Sequence, residues 1–381
     1  MLYSSSMENV VKKTPSSIST RRLFVYAFIA GVLVLFSGEL MFRLYDVVTG
    51  NEIDRRRQLI REELKQEKYM LTWSPHTGFI PNPGYGNGLM KINEDGYRGR
   101  LAPQQKSPGT LRLIALGGST TMMADLPLEE TYPEILRGKL AEYLKPTPVE
   151  VINAACNAYT TAESLTRLSL DLVDYEPDYV LIMHVINDLR ANWYKGFRSD
   201  YSHIFRRPIR FYEETPLGKV SLKISYLCSH SVMCFASMPK GLTRSKQRVM
   251  QREKSEIKYP SVKAFQRNLR SMVAISRSVG AKPILATLAI SFTPENPPPR
   301  ETMIEFYRPP NSVEEFTKGL QLHNDAVREL AMETATPLVD IAKIIPPSSK
   351  YFVDECHLNA LGAKIVAEEF FRVIKTTLPS R

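Results

Sequence analysis

The chain has 381 residues, with 50 Lys and Arg against 40 Asp and Glu and a formal net charge of +10. Hydrophobic residues at 43% and charged residues at 24% are those of an ordinary globular chain with a sizeable core, which excludes a disordered, collagen-like or polytopic membrane protein. Four cysteines, Cys156, Cys228, Cys234 and Cys356, are too few for a disulfide scaffold and lack the paired spacing of a structural zinc site.

Residues 1–22 are polar, rich in Ser, Thr and Lys, and read as a tail. Leu23 to Phe42 then carry a single charge, Glu39, over 20 residues, long enough to cross the hydrocarbon layer as a helix. A cleaved signal peptide would have a shorter apolar region followed by a small-residue cleavage site, whereas Glu-Leu-Met-Phe-Arg-Leu follows here, so residues 23–48 are expected to be an uncleaved anchor. Lys12, Lys13, Arg21 and Arg22 precede the span and Arg43, Arg55, Arg56 and Arg57 follow it, so the local charge count favours neither orientation. Long domains after a single span with a cytoplasmic N-terminus are translocated largely regardless of nearby charge, which makes residues 1–22 a cytoplasmic tail and places the rest outside the cytoplasm, in the periplasm or at the cell surface.

Residues 49–105 read as a stalk and lead-in. The charges of both signs over 51–68 continue the helix into solvent. The Pro- and Gly-rich run 80–88 and the segment 91–100 predict turns and a short hairpin. Gly84, Gly86 and Gly88 precede no helix, which argues against a dinucleotide site. From about residue 106 to 381 short apolar runs alternate with amphipathic ones: 111–116, 149–153, 178–184, 282–289 and 337–341 predict buried strands, and 130–145, 160–175, 261–279, 313–334 and 359–376 predict helices. That alternation implies a parallel sheet with helices on both faces, whose ligand site lies outside the carboxyl ends of the strands.

The residues just after each strand therefore carry the functional argument. The first strand runs into Gly117-Gly118-Ser119-Thr120, the second into the small-residue loop 154–161, the third into His184-Val185-Ile186-Asn187-Asp188, and the last, after a Pro-rich turn, into Asp354 and His357. Taken singly, Ser119 reads as a helix cap and Asp354 as a turn residue. Jointly they are what acyl transfer needs: a serine hydroxyl, a histidine to take its proton, and a carboxylate to hold the histidine tautomer. The backbone N–H of Ser119, an N–H of the 154–161 loop and the Asn187 amide are placed to donate to the oxyanion. Asp188 reads as a structural strand-end residue and His184 as a hydrogen-bonded core residue. His76, His203, His230 and His323 fall in no ligand spacing, so no metal and no other cofactor is expected.

On these residues the sequence resembles the SGNH (GDSL-type) hydrolase family over roughly 105–376. Gly117-Gly118-Ser119 stands at the family's first block, Asn153 to Thr161 at the second, Val185-Ile186-Asn187-Asp188 at the third, and Asp354 with His357 at the fifth. The resemblance implies a three-layer α/β/α flavodoxin-like domain over residues 106–381, with Ser119 as nucleophile, His357 and Asp354 completing the triad, and Ala158, Asn187 and Ser119 as oxyanion donors. Arg98, with Asn93 to Tyr97 before it, resembles the lead-in of membrane-anchored bacterial members. Three positions depart from the family pattern: Gly118 replaces an Asp, Ala158 a Gly and Val185 a Gly. Ala158 keeps its N–H provided the loop reaches the required backbone angles, and Val185 is expected to narrow the space beside Asn187.

The charge excess is local. Residues 195–254 hold 13 Lys and Arg against four acids, a net of +9, in an insertion between the third and fourth strands. Arg206, Arg207 and Arg210 are its candidate substrate-binding residues, for an anionic polymer or lipid headgroups, against a plain solvated loop. No nucleic-acid recognition fold is visible. The expected activity is that of a membrane-anchored serine esterase acting on an acyl ester, acetyl among them, of a cell-envelope glycan or lipid. An O-acyltransferase using the same triad and a non-catalytic glycan-binding component are the alternatives.

Overall fold

The computed structural model describes residues 19–49, 70–193, 196–204, 259–298 and 312–378. The basic insertion beyond residue 204, with Arg206, Arg207 and Arg210, and the stalk over 51–68 lie outside the described residues. The chain divides into two units, residues 1–65 with 209–241, and 66–208 with 242–381. The described part of the first is a single helix, α1 (Thr20–Thr49). Its window Thr20–Met41 has a mean hydropathy of 2.1, and apolar side chains such as Phe24 and Phe28 are 74% and 73% exposed, so it is not a buried core helix.

The second unit opens on an antiparallel pair, β1 (Leu71–Ser74) and β2 (Gly78–Pro81). The hairpin thus lies earlier than the 80–100 expected from sequence, and beyond it the lead-in makes isolated bridges, Gly86 with Lys91, Ile92 with Arg98, and Arg98 with Asn153. The central sheet comprises β3 (Leu111–Gly117), β4 (Val149–Asn153), β5 (Tyr179–Met183), β6 (Lys282–Ala286) and β7 (Leu338–Val339), all parallel, in the order β4-β3-β5-β6-β7. This is the flavodoxin-like order, in which the chain reverses direction of growth between β3 and β5 and opens a crevice at their carboxyl ends. Leu113, Ile114, Ala115 and Leu116 are all fully buried, as are most of β5, because helices cover both faces; that is why these strands read as continuous apolar runs.

One layer pairs α3 (Tyr132–Tyr143) with α9 (Ala360–Thr377), where Tyr132 stacks on Phe370 at 5.5 Å between ring centroids. The other layer comprises α4 (Thr161–Leu170), α6 (Ser261–Ser278) and α7 (Val313–Glu333). In α6 the buried residues Ala264, Phe265, Asn268, Leu269, Met272 and Val273 recur every three or four positions, the stripe a helix needs to face the sheet. Three short helices follow strand ends: α2 (Ser119–Met122) after β3, α5 (Ile186–Arg190) after β5 and α8 (Ile341–Ile344) after β7.

Two elements end three or more residues earlier than their sequence pattern. α4 stops at Leu170 and continues as a 3-10 turn over Leu172–Tyr175, closed by Glu176 at φ 50° just before Pro177. β6 ends at Ala286 rather than 289, because its neighbour β7 is only two residues long; Leu288 bonds instead, through both backbone groups, to the Asn324 side chain of α7 at 2.9 Å.

Candidate active site

β3 delivers Ser119. Gly117 is required at the end of this strand, since a Cβ there would overlap the Thr121 side chain and lie 2.9 Å from Met183 O. The helix α2 that Ser119 opens is a single turn, too short to hold itself, and its carbonyls are held from outside. Asn153 Nδ2 donates to Thr121 O at 3.0 Å, and the buried Arg98 guanidinium donates to the carbonyls of Met122, Met123 and Leu126. Burial pulls the Arg98 pKa down to about 10, with Asp125 and Glu129 acting in the opposite sense, so the group stays cationic at neutral pH. The lead-in arginine noted in the sequence is therefore the brace of the Ser119 turn.

The segment 352–358 delivers Asp354 and His357. Phe352 and Leu358 bridge at its base, and Val353 N–H donates to His357 O at 2.8 Å. Asp354 Oδ1 accepts the backbone N–H groups of Cys356 (2.8 Å) and His357 (2.7 Å), which fixes the carboxylate. Its Oδ2 accepts from His357 Nδ1 at 2.5 Å, and His357 Nε2 lies 2.7 Å from Ser119 Oγ. With Nδ1–H donating to Asp354, Nε2 is left as the acceptor for the serine hydroxyl. Burial opposes the imidazolium, but the Asp354 hydrogen bond and charge, with Cys356 alongside, outweigh it and raise the His357 pKa above the ordinary 6.5. Asp354 is pushed up by burial and, more strongly, down by His357, and ends below the ordinary carboxylate range. The side chains of Asp354, Cys356 and His357 could approach one ion together, their ligand atoms lying within 4.8 Å of one another, but Asp354 and His357 are engaged with each other.

The Asn187 amide, on α5, donates to Tyr159 O at 2.9 Å and packs against the Gly118 backbone. Ala158 sits at φ 64°, the left-handed region that costs an L-residue about 1–2 kcal/mol. These are backbone angles that glycine adopts freely, and Ala158 carries its N–H there. Neither that N–H nor the Ser119 N–H donates to another group among the described residues. Val185 is 1% exposed, within the main core.

Asp188, next to Asn187 in sequence and buried, accepts from Thr161 N–H (3.1 Å) and Tyr201 OH (2.7 Å), tying α5 to the start of α4 and to the described first residues of the basic insertion. Burial lifts its pKa to about 6 against these hydrogen bonds. His184 bonds to Ser164 Oγ at 2.8 Å, and burial lowers its pKa to about 3, so it is a neutral core residue.

Ser119, Ala158, Asn187 and His357 line one open cleft of about 240 Å³. It is completed by Ala124, Asp125, Asn157 and Arg190, which the sequence reading did not single out. Arg190 had a signal, three residues after Asn187 on one helix face, and Asn157 is the neighbour of Ala158; for Asp125 no local pattern exists.

Residues 115–365 match the GDSL-like Lipase/Acylhydrolase family, and the chain belongs to that family of serine ester hydrolases. No curated protein matches it significantly. Among solved structures it is similar to Axe2, an acetylxylan esterase from Geobacillus stearothermophilus, at 17% identity, covering 70% of this chain and 95% of that one with a TM-score of 0.42. It is also similar to the psychrotrophic esterase EstA from Pseudoalteromonas sp., at 18% identity, 70% and 97% coverage and a TM-score of 0.39. A GDSL-like lipase from Bacteroides thetaiotaomicron matches at 14% identity, 73% and 93% coverage and a TM-score of 0.40.

Proposed function

We propose that the chain is a membrane-anchored serine esterase that removes an acyl group from an ester of a cell-envelope glycan or lipid through an acyl-Ser119 intermediate. The observation that carries this reading is the continuous relay from Ser119 Oγ to His357 Nε2 at 2.7 Å and from His357 Nδ1 to Asp354 Oδ2 at 2.5 Å. His357 takes the Ser119 proton as Oγ attacks the acyl carbon, and Asp354 stabilises the imidazolium that forms. The N–H groups of Ser119 and Ala158 and the Asn187 amide receive the oxyanion. His357 then protonates the leaving alcohol, and a water activated by the same ring hydrolyses the acyl-enzyme. The small cleft supports a short acyl group, acetyl among them. Residues 23–48 serve as the anchor, with the catalytic domain over 106–381 outside the cytoplasm; the apolar, exposed α1 supports the anchor. Arg206, Arg207 and Arg210 remain candidate contacts for an anionic substrate.

The test is labelling and turnover. A serine-directed phosphonate should label wild-type protein at Ser119, and Ser119→Ala and His357→Ala should each lose labelling and ester cleavage. Most of the activity surviving in either variant would sink the assignment. Following free acid against acyl transferred to added sugar, in the same assay, separates hydrolysis from transfer.

A further inference from the structure

Three polar side chains in the cleft have no role in the relay or among the oxyanion donors: Asn157, Asp125 and Arg190. Asn157 Oδ1 is buried with no hydrogen-bond partner, and the other end of that amide reaches only Met70 Sδ at 3.7 Å, a weak acceptor. Buried amide oxygens in folded proteins are nearly always satisfied, so an unmet acceptor on a residue that lines the Ser119 cleft points to a donor brought by a ligand. Arg190 makes no ion pair or hydrogen bond among the described residues, and Asp125 makes no hydrogen bond among them; both line the same cleft.

We propose that Asn157, Asp125 and Arg190 form a hydroxyl-reading subsite for the alcohol part of the ester, and that this alcohol is a sugar. The inference rests on the esterase reading and narrows its substrate. A sugar presents adjacent hydroxyls that both donate and accept. Asn157 Oδ1 and the Asp125 carboxylate supply acceptors, and the planar Arg190 guanidinium supplies paired donors. An anionic alcohol would satisfy Arg190 but meet Asp125, and a cationic one would meet the reverse conflict; a neutral polyol suits both. A long-chain lipid alcohol would need apolar walls, yet among the described residues the apolar lining of the cleft is limited to Ala124 and Ala158.

The test compares a panel of mono-O-acetylated methyl glycosides (gluco, galacto, manno and xylo) with propyl acetate. It uses the full chain in a detergent without a sugar headgroup. At least one glycoside should exceed propyl acetate tenfold in kcat/KM. Asn157→Ala and Arg190→Met should each lower that glycoside-to-propyl ratio by about tenfold, and Asn157→Asp, which keeps an acceptor oxygen, should retain it. A loss of folding or of loop geometry would depress both esters and leave the ratio fixed. An unchanged ratio in both variants, or no glycoside preferred over propyl acetate, overturns the subsite. Should no ester be cleaved at all, the esterase reading fails by itself. Saturation-transfer NMR of the methyl glycosides then decides the subsite: binding that Asn157→Ala abolishes supports it, and no binding to the wild-type chain overturns it.

Discussion

The family places an Asp before the nucleophile, and here Gly118 stands in its place, which makes position 118 a direct probe of the Asn187 amide. A Cβ built on Gly118 would lie 2.8 Å from Asn187 Nδ2 and 3.2 Å from Tyr159 O. Ordinary contact begins at 3.4 Å, so Gly118→Ala must drive the amide back by about 0.6 Å. The Gly118 backbone is extended, at φ −91° and ψ −150°, so alanine brings a clash rather than a backbone conflict. Misplacing a catalytic group by about 1 Å costs up to about a hundredfold, and losing an oxyanion donor costs about 100–1,000-fold. Gly118→Ala should therefore lower kcat by about 10- to 100-fold, or about 1.4–2.7 kcal/mol of transition-state stabilisation, with little change in KM. Asn187→Ala should cost about a hundredfold or more. If the alanine acts through the amide, the double variant should be no worse than Asn187→Ala alone. Steady-state hydrolysis of an aryl acetate by the full chain reads all three, with thermal unfolding to confirm folding. Wild-type kcat in Gly118→Ala, or a double variant whose loss is the product of the two single losses, would refute the reasoning.

Other expectations follow from the same geometry. Since the imidazolium cannot accept the Ser119 proton and His357 is raised above 6.5, kcat/KM should rise with pH along an acid limb centred above 6.5. Asp354→Asn removes the raising charge and should move that limb to lower pH while reducing kcat; a wild-type limb at or below 6.5 would contradict the assignment. Ala158→Gly should relieve the strain at φ 64° and raise stability by about 0.5–1 kcal/mol net of the glycine entropy cost, with activity retained because the N–H is unchanged. Denaturant unfolding checks this, and destabilisation by more than about 1 kcal/mol would count against it. Full-length protein should remain with membranes through alkaline carbonate, whereas a chain starting at residue 50 should be released; recovery of both in the soluble fraction would remove the anchor.

Burial leaves a local imprint in sequence. The runs Leu111–Gly117 and Tyr179–Met183 are covered on both faces and so read as unbroken apolar strands, and α6 shows its buried stripe at helical spacing. The alternation of such elements determined the layer architecture, and the polar residues after each strand end marked Ser119, Asn187, Asp354 and His357 as one set. Local pattern says nothing about which strands become neighbours. The order β4-β3-β5-β6-β7, which brings the ends of β3 and β5 together, comes from long-range pairing, as does the meeting of Ser119 with a histidine 238 residues away. Only the tertiary structure turned Val185 into the core, set Ala158 at positive φ, placed Arg98 under the Ser119 turn, and gathered Asn157, Asp125 and Arg190 around the nucleophile. Each of these depends on which backbone or side chain approaches from a distant part of the chain, a relation that short-range periodicity does not encode.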